Sequence, residues 1–527
     1  MSQQQEIPRF HFGPRERNGT FGGLRKGQAT ILISTVLASM VAVRALPFGP
    51  NALITVGLLC FGLVLVFLPV GKRNADEWLS ILLSFAFRLA MGEHRWTSKA
   101  HLQGHQLHLD GSGQPPEPPL ARPRALRRLE FLAASVPGMN GEVGVLNEDR
   151  IYTGVLSVVG PSFSLMDPLD QARLVVGLGA IQASFGLAES PVKRLQFLET
   201  TMPEDPAALT RYAREKITEL AQVRTDEELE AVLAALPEAR RRCVRSYLQG
   251  VRDSGPVAQS HECLIALQID ASKASVARQL RRAGQGDLDR GACEALMRYI
   301  AELSQDLEAI EVTPRGMLTP RLLAQHIRFA YDPSARQRRS RLEQAGAEEG
   351  EDPAYAGPRA QQEFADHFRS DGYCHATYHV AEWPRREVAA DFLAPLLLHT
   401  KHPRTLSLLI EPQQPQKASR EIEKTHFTRK LIGDALSQRG FEKTFRRQAE
   451  DEKVERVGQE ITQGHVNARY SAYVTVSAKS REDLVWARAD IEGRAAESQA
   501  LELELLWGQQ AVAFTYTLPL GRGLTSQ

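Results

Sequence analysis

The closest approach to a nucleotide-binding motif lies near the start of the chain, in "GTFGGLRKGQAT", residues 19–30. A P-loop needs Gly-x-x-x-x-Gly-Lys-Ser/Thr, because its backbone amides cradle the phosphates and its lysine reaches them. Here Lys26 precedes Gly27, and no Gly-Lys-Ser/Thr occurs. The stretch also abuts an apolar run instead of following a strand, so we reject it as a phosphate site.

Other catalytic and metal-binding patterns are equally weak. The sequence has no Gly-x-Ser-x-Gly elbow and no His-Glu-x-x-His motif. His399 and His402 fall at the end of a predicted helix, where capping is the expected role. A further group of histidines is not completed by a cysteine or a carboxylate pair, which a zinc site would need; it comprises His94, His101, His105 and His108. We therefore expect no enzyme activity, no metal and no cofactor.

Charge gives no sign of a nucleic-acid partner. The formal net charge of the 527 residues is +1, so direct sequence-specific binding to nucleic acid is not expected. Four arginines in "EARRRCVRSYLQGVR" could grip phosphates, but a solvated or acid-paired helix face is the favoured interpretation; they are Arg240, Arg241, Arg242 and Arg245. The five cysteines are widely spaced, which argues against a disulfide framework or a zinc ribbon.

Two apolar runs precede all of these residues. Residues 28–46 and 52–70 are separated by "PFGPN", which has the composition of a tight turn. A helix of 19 residues is roughly 28 Å long, close to the thickness of a hydrocarbon core of about 30 Å. A signal peptide and a buried core helix are less favoured than a transmembrane hairpin over residues 28–70.

The flanking cations orient this predicted hairpin. Cytoplasmic flanks of membrane spans are rich in lysine and arginine, and both ends of the hairpin carry such residues. The prediction is a multi-pass protein of the inner (cytoplasmic) membrane with both termini in the cytoplasm. The flanking residues are Arg9, Arg15, Arg17, Arg25 and Lys26 before the hairpin, and Lys72, Arg73, Arg88, Arg95 and Lys99 after it.

The remainder of the chain alternates strand-like and helix-like segments. Strands such as "RIYTGVLSVVG" and "RTLSLLIEP" and helices such as "REDLVWARADIEGRAAES" follow their expected periodicities, and long helices are predicted from 415 to 463. The order of elements predicts an α+β cytosolic region with ferredoxin-like split β-α-β layers, and duplication of that unit is left open. The predicted units are a basic arm (1–27), the hairpin (28–70), an interfacial or first cytosolic helix (71–96), a linker (97–124), a first α+β block (125–330), a connector (331–360) and a second α+β block (361–527).

The sharpest motif is "WGQQAVAFTYTLPLG", Trp507 to Gly521. Its plain interpretation is a buried closing element that ends in Pro and Gly. Together with the basic arm, the hairpin, "AYDP" (Ala330 to Pro333) and "EWPRREVAADFLAPLL" (Glu382 to Leu397), it resembles the membrane proteins carried on actinobacterial integrative conjugative elements and encoded beside the conjugation ATPase. The hairpin is similar to the small PrgI-type inner-membrane component. The cytosolic region is similar to the non-motor, amino-terminal half of TraC/CagE-type secretion ATPases.

The resemblance implies a function. In the related ATPases the motor domain begins after this region, whereas six residues follow Gly521 here, so the motor is expected in trans. The implied protein is a membrane-anchored, non-enzymatic component of a type IV secretion or conjugation machine that docks a separate secretion ATPase. Other inner-membrane secretion components and further copies of the chain are expected partners. The candidate docking residues are Gly508, Gln510, Phe514, Leu518, Pro519 and Gly521.

Two alternatives stay open at this point. An inner-membrane component of a type VII secretion apparatus also places a hairpin before a large cytosolic part. A membrane-tethered enzyme with an unrecognised site would belong to a different class altogether, and ATP turnover would favour it.

Overall fold

A computed structural model provides the structure of the protein. Residues 1–25 of the predicted arm, most of the predicted linker and the helices predicted over 415–463 lie outside the described residues. The described residues are 26–45, 50–67, 69–70, 73–98, 122–135, 141–161, 163–186, 190–203, 212–213, 215–217, 226–254, 259–344, 346, 348–384, 388–398, 401–413 and 468–524.

Thirteen strands of the described residues form one large sheet in which neighbouring strands pair in antiparallel fashion. A separate two-stranded ribbon is formed by β1 (Pro69–Val70) and β2 (Arg73–Asn74). The strands of the large sheet are β3 (Arg95–Thr97), β4 (Leu129–Ser135), β5 (Glu142–Glu148), β6 (Ile151–Val159), β7 (Val192–Pro203), β8 (Gln259–Asp270), β9 (Thr313–Met317), β10 (Ala360–Glu363), β11 (Phe368–Ser370), β12 (Tyr373–Glu382), β13 (Arg404–Pro412), β14 (Ala468–Ala478) and β15 (Glu502–Leu505).

The sheet has two halves that join at one seam. The strand order is β3-β10-β11-β12-β14-β13-β7-β8-β6-β5-β4, with β15 paired to β12 and β9 paired to β6. At the seam, β13 pairs with β7 from Arg404 opposite Thr201 to Ile410 opposite Leu195. We call β4 to β9 the first half and the remaining strands the second half.

Several of the described helices, among them those over 288–309, 320–331 and 481–497, cover the faces of this sheet. Their starts follow local chemistry: Asp287, Thr319 and Ser480 each accept hydrogen bonds from backbone amides of the first helical turn. The helices are α1 (Lys26–Ala45), α2 (Pro50–Phe67), α3 (Ala75–Ala90), α4 (Pro168–Ser184), α5 (Asp226–Ala235), α6 (Glu238–Ser254), α7 (Ala274–Ala283), α8 (Leu288–Ala309), α9 (Pro320–Tyr331), α10 (Ala335–Gln344), α11 (Ala394–Leu397), α12 (Arg481–Glu497) and α13 (Gln510–Phe514).

Each half of the sheet is buried on both faces. In the first half, α8 packs on one face, and α9 packs with the end of the chain on the other. In the second half, α12 covers one face. The end of the chain covers the opposite face, where Leu409 and Tyr473 contact Ala513 and Leu524. The end of the chain therefore lies on a face that the two halves share.

The predicted arrangement of the cytosolic region in ferredoxin-like layers is wrong. The strand "RTLSLLIEP" is confirmed as β13, and the helix "REDLVWARADIEGRAAES" is confirmed as α12, which ends one residue before the end of that stretch. However, the strands do not form separate ferredoxin-like layers. Pairing of β7 with β13 continues the strands of both predicted blocks into one sheet, a connection that no local pattern encodes.

The predicted transmembrane hairpin and the multi-pass inner-membrane localisation are also wrong. Within the described residues, no helix combines the length and the apolar character that a membrane crossing requires. The first run forms a helix that includes polar residues such as Gln28, Thr35 and Ser39, and the second forms a helix of 18 residues. The two helices do pack on each other, since Gln28 Nε2 donates to the Val66 carbonyl at 3.1 Å.

Candidate functional site

The candidate site is built around residues Gly508 to Gly521, which we call the closing element. Gln510, fully buried, fixes its first turn to the second half of the sheet. The Thr377 amide on β12 donates to Gln510 Oε1 at 2.9 Å, and Gln510 Nε2 donates to the Thr377 carbonyl at 3.2 Å. This reciprocal pair satisfies the backbone of β12 where β15 ends.

Phe514 carries the element into an aromatic cluster. Its side chain is 1% exposed, and its ring centroid lies 4.7 Å from that of Tyr331, 5.3 Å from that of Phe368 and 4.7 Å from that of His375. Tyr331 belongs to the "AYDP" motif. Two of the motifs that carry the resemblance therefore meet in space, although about 180 residues separate them in the sequence.

The second part of the element binds the first half of the sheet. Gln196 on β7 donates from Nε2 to the Leu518 carbonyl at 2.9 Å, and it accepts from the Gly521 amide at 2.8 Å. Gln268 on β8 donates to the Leu520 carbonyl at 3.1 Å. Because both glutamines are buried, these bonds satisfy polar groups that water does not reach. The closing element thus ties both halves together.

Gly508 joins the element to α3. Its φ of +64° lies in the left-handed region, and a Cβ there would lie 3.0 Å from Ile81 Cγ2 and 3.5 Å from Phe85 Cβ. Its carbonyl accepts from Arg88, which also pairs with Glu363 on β10 at 3.2 Å. Burial raises the pKa of Glu363, and the Arg88 charge only partly opposes this. This helix, α3, was predicted as an interfacial or first cytosolic helix. It is attached to the sheet through Gly508 of the closing element and through Glu363 on β10.

The aspartate of "AYDP" anchors the other side of the aromatic cluster. Burial alone would raise the pKa of Asp332, but hydrogen bonds from Ser334 and Arg338, together with the positive charge of Arg328, hold it below its usual value. Arg328 lies 2.6 Å from Asp371 in a second buried ion pair. This network fixes the carboxyl end of α9 against β11.

A buried Ser–His–Ser chain lies below Phe514. Ser370 Oγ donates to the Tyr331 carbonyl at 2.6 Å and lies 2.8 Å from His375 Nε2, while His375 Nδ1 lies 2.8 Å from Ser477 Oγ. Since Ser370 already donates its proton, Nε2–H donates to Ser370 and Nδ1 accepts from Ser477. Burial lowers the pKa of His375 to about 3, so the ring is neutral. Because Nε2 carries a proton, it cannot take one from Ser370, and the chain is a structural network.

A small cavity lies at the seam between β7 and β13. It has a volume of about 10 Å³, enough for roughly one water molecule. Thr200 and Thr405 face each other across the seam with their hydroxyl oxygens 3.1 Å apart. The cavity is lined by Thr200, Met202, Phe329, Ala330, Pro333, Pro403, Arg404, Thr405, Thr475, Ser477, Phe514 and Thr517.

The structure places the six predicted docking residues inside the protein. All are buried, while their neighbours Trp507 and Val512 are 39% and 45% exposed. Direct docking by the six stays a prediction. In this arrangement they position the exposed surface beside them.

The other residues singled out from sequence lie elsewhere. On α6, Arg242 pairs with Glu238, and Arg241 donates to the carbonyls of Ala234 and Leu236, which agrees with the favoured interpretation of a helix face. His402 is half-buried. Within the described residues, no group of three or more His, Cys, Asp or Glu side chains could hold a metal. His101, His105, His108 and His399 lie outside the described residues.

Sequence reasoning missed the glutamines that hold the closing element. Gln196 and Gln268 each stand between apolar residues of their strands, in "RLQFLE" and "IALQID". A polar side chain at an inward-facing strand position requires a buried partner. That signal could have indicated a segment bound across β7 and β8. Comparison of the sequence with protein-family models and with curated proteins gives no match.

Proposed function

We propose that this protein is a non-enzymatic docking component of a type IV secretion or conjugation machine, and that it holds a separate secretion ATPase. The partner class comes from the resemblance of the motifs. The observation that carries the proposal is that α3 and the segment around Gly508, which contact each other, each expose large apolar side chains. On α3 these include Leu83 and Phe87, and around Gly508 they are Trp507 and Val512.

This surface, defined by Leu83, Phe87, Trp507 and Val512, is called the outer apolar surface. Single exposed apolar residues are common, but several large ones on two elements that contact each other make these elements a candidate for an interaction site. The backbone beside Trp507 and Val512 is held rigidly by hydrogen bonds. The Gly508 amide donates to the Ala365 carbonyl at 2.7 Å, and the Gln510 side chain accepts from the Thr377 amide on β12. A rigid apolar surface suits protein docking, because little conformational entropy is lost on binding.

The test is capture of the secretion ATPase encoded in the same conjugative element. The full chain carries an affinity tag, and retention of the ATPase is compared between the wild type and the double variant Trp507→Ala/Val512→Asp. We expect the double variant to lose most of the captured ATPase while its melting temperature changes little, since both side chains are partly solvated.

Trp486→Ala is the matched control. Trp486 is 74% exposed on α12, a helix whose buried side chains pack on the face of the second half opposite the end of the chain, so its removal should leave capture unchanged. Full retention by the double variant would exclude the outer apolar surface as the contact. If the wild type captures no ATPase even after crosslinking, the proposed function is wrong.

A further inference from the structure

Arg404 is a buried arginine whose guanidinium is not fully hydrogen-bonded. The residue is 3% exposed, and neither Nε nor Nη2 has a hydrogen-bond partner among the described residues. Arg328, which is buried to the same degree, differs in that it pairs with Asp332 and Asp371. A buried donor without an acceptor is costly, and it costs more when the group is charged. Arg404 thus has two buried donor atoms, Nε and Nη2, for which the described residues provide no acceptor.

Strand geometry gives the direction of the side chain. Arg404 is the first residue of β13, and the next residue, Thr405, directs its hydroxyl toward Thr200. Because successive side chains alternate between faces, Arg404 lies on the opposite face, the one that α12 covers. Its cross-strand neighbours are Thr201 and Val476.

The acidic groups around Arg404 already have partners. Glu199 lies 3.1 Å from His261, and Asp490 accepts from Arg494 at 3.0 Å. Within the described residues, neither carboxylate comes within ion-pair distance of Arg404. Burial, and after it the charge of Arg494, lowers the pKa of Arg404 to about 10, while Glu199 and Asp490 oppose that change. The group therefore remains a cation at neutral pH.

We propose that Arg404 anchors a binding site for an oxyanion, meaning a carboxylate or phosphate group. The two unpartnered atoms, Nε and Nη2, lie on one edge of the guanidinium, and this edge takes two oxygens of one anion through parallel hydrogen bonds. Arg494 also lies nearby, paired with Asp490. This site is independent of the proposed docking function, because it lies on the α12 face and not on the outer apolar surface.

The experiment titrates the full chain with sodium phosphate and, separately, sodium acetate at constant ionic strength made up with chloride. Thermal unfolding and calorimetry are the measurements. A ligand that binds only the folded state raises the melting temperature. We expect one of the two anions to stabilise the wild type beyond chloride, and Arg404→Lys, which keeps the charge but loses the fork, to bind it about tenfold more weakly or worse. The anion that stabilises the protein more strongly shows whether the site prefers a phosphate or a carboxylate group.

Two further variants make the result decisive. Arg481→Lys changes an exposed arginine at the start of α12 and should retain the full effect. Arg404→Met keeps the apolar stem and removes the charge, so it should fold and lose the anion-specific stabilisation. The proposal is overturned if neither anion stabilises the wild type beyond chloride. It is equally overturned if Arg404→Lys and Arg404→Met respond as the wild type does.

Discussion

Phe514 and Tyr331 lie with their ring centroids 4.7 Å apart, at a tilt of 47°. One ring belongs to the closing element and the other to the last residue of α9, so this contact packs the end of the chain onto the first half of the sheet. Phe368 and His375 bring the second half to the same cluster. The cluster is therefore the point at which the two halves and the closing element depend on one another.

Phe514→Ala should destabilise the fold by about 3–5 kcal/mol, because it leaves a cavity where a large buried side chain was packed. Urea unfolding followed by circular dichroism measures the change. Val512→Ala, two residues away and 45% exposed, should cost less than about 1 kcal/mol. Equal costs for the two variants would show that the aromatic cluster does not stabilise the protein.

His375 makes stability depend on pH. The pKa of His375 is lowered from 6.5 to about 3 in the folded state, so below about pH 6.5 the unfolded chain binds a proton that the folded chain does not. Stability contributed by the neutral ring is complete above that pH and falls as the pH drops toward 3. The slope approaches about 1.4 kcal/mol per pH unit for one proton.

His375→Gln should remove that slope. Free energies of unfolding of the wild type and the variant are compared at several values between about pH 7 and pH 5, and the difference isolates the histidine from carboxyl groups that titrate in both proteins. The two curves should converge as the pH falls. Parallel curves would mean that His375 does not stay neutral in the folded protein.

The full chain should neither bind ATP with micromolar affinity nor hydrolyse it, because its sequence lacks the Gly-x-x-x-x-Gly-Lys-Ser/Thr motif that cradles phosphates. Calorimetric titration with Mg-ATP and a phosphate-release assay measure the two properties. A saturable heat signal with turnover would instead favour the enzyme alternative.

Local patterns predicted single elements such as β13 but not their assembly. The segment "RTLSLLIEP" is bounded by turn residues and became β13 at the expected residues. One of its two partner strands is β7, about 200 residues earlier, and register between distant strands depends on packing that a local window does not contain. The large sheet could therefore not be predicted from its parts.

The apolar runs and Arg404 also show that a local sequence pattern does not determine the environment of a residue in the folded protein. Residues 28–46 are apolar enough to predict a membrane span. The helix α1 that they form also contains polar residues, however, and it does not qualify as a span. Arg404, as a single cation at the start of a strand, has the sequence signature of an exposed residue. In the folded structure, however, α12 covers this face of the sheet, so the Arg404 guanidinium is buried. Two of its donor atoms have no partner among the described residues.

Gly521→Ala should loosen the closing element. The φ of Gly521 is +61°, a conformation that costs a residue with a Cβ of order 1–3 kcal/mol, and the new Cβ would lie 2.6 Å from Gln268 Nε2. That amide holds the Leu520 carbonyl at 3.1 Å, so relief of the clash would break the bond. We expect a loss of stability of about 1–3 kcal/mol, together with faster hydrogen exchange at residues 515–524.

Gly493→Ala is the matched control, because Gly493 lies within α12 and a Cβ added there would meet no described atom within 4 Å beyond its own helix backbone. The same substitution there should stabilise the protein by about 0.5–1 kcal/mol through helix propensity. Opposite signs for the two substitutions would establish that Gly521 is required for its backbone conformation and close approach to β8. A neutral Gly521→Ala with unchanged exchange would show instead that the closing element is not held through Gln268.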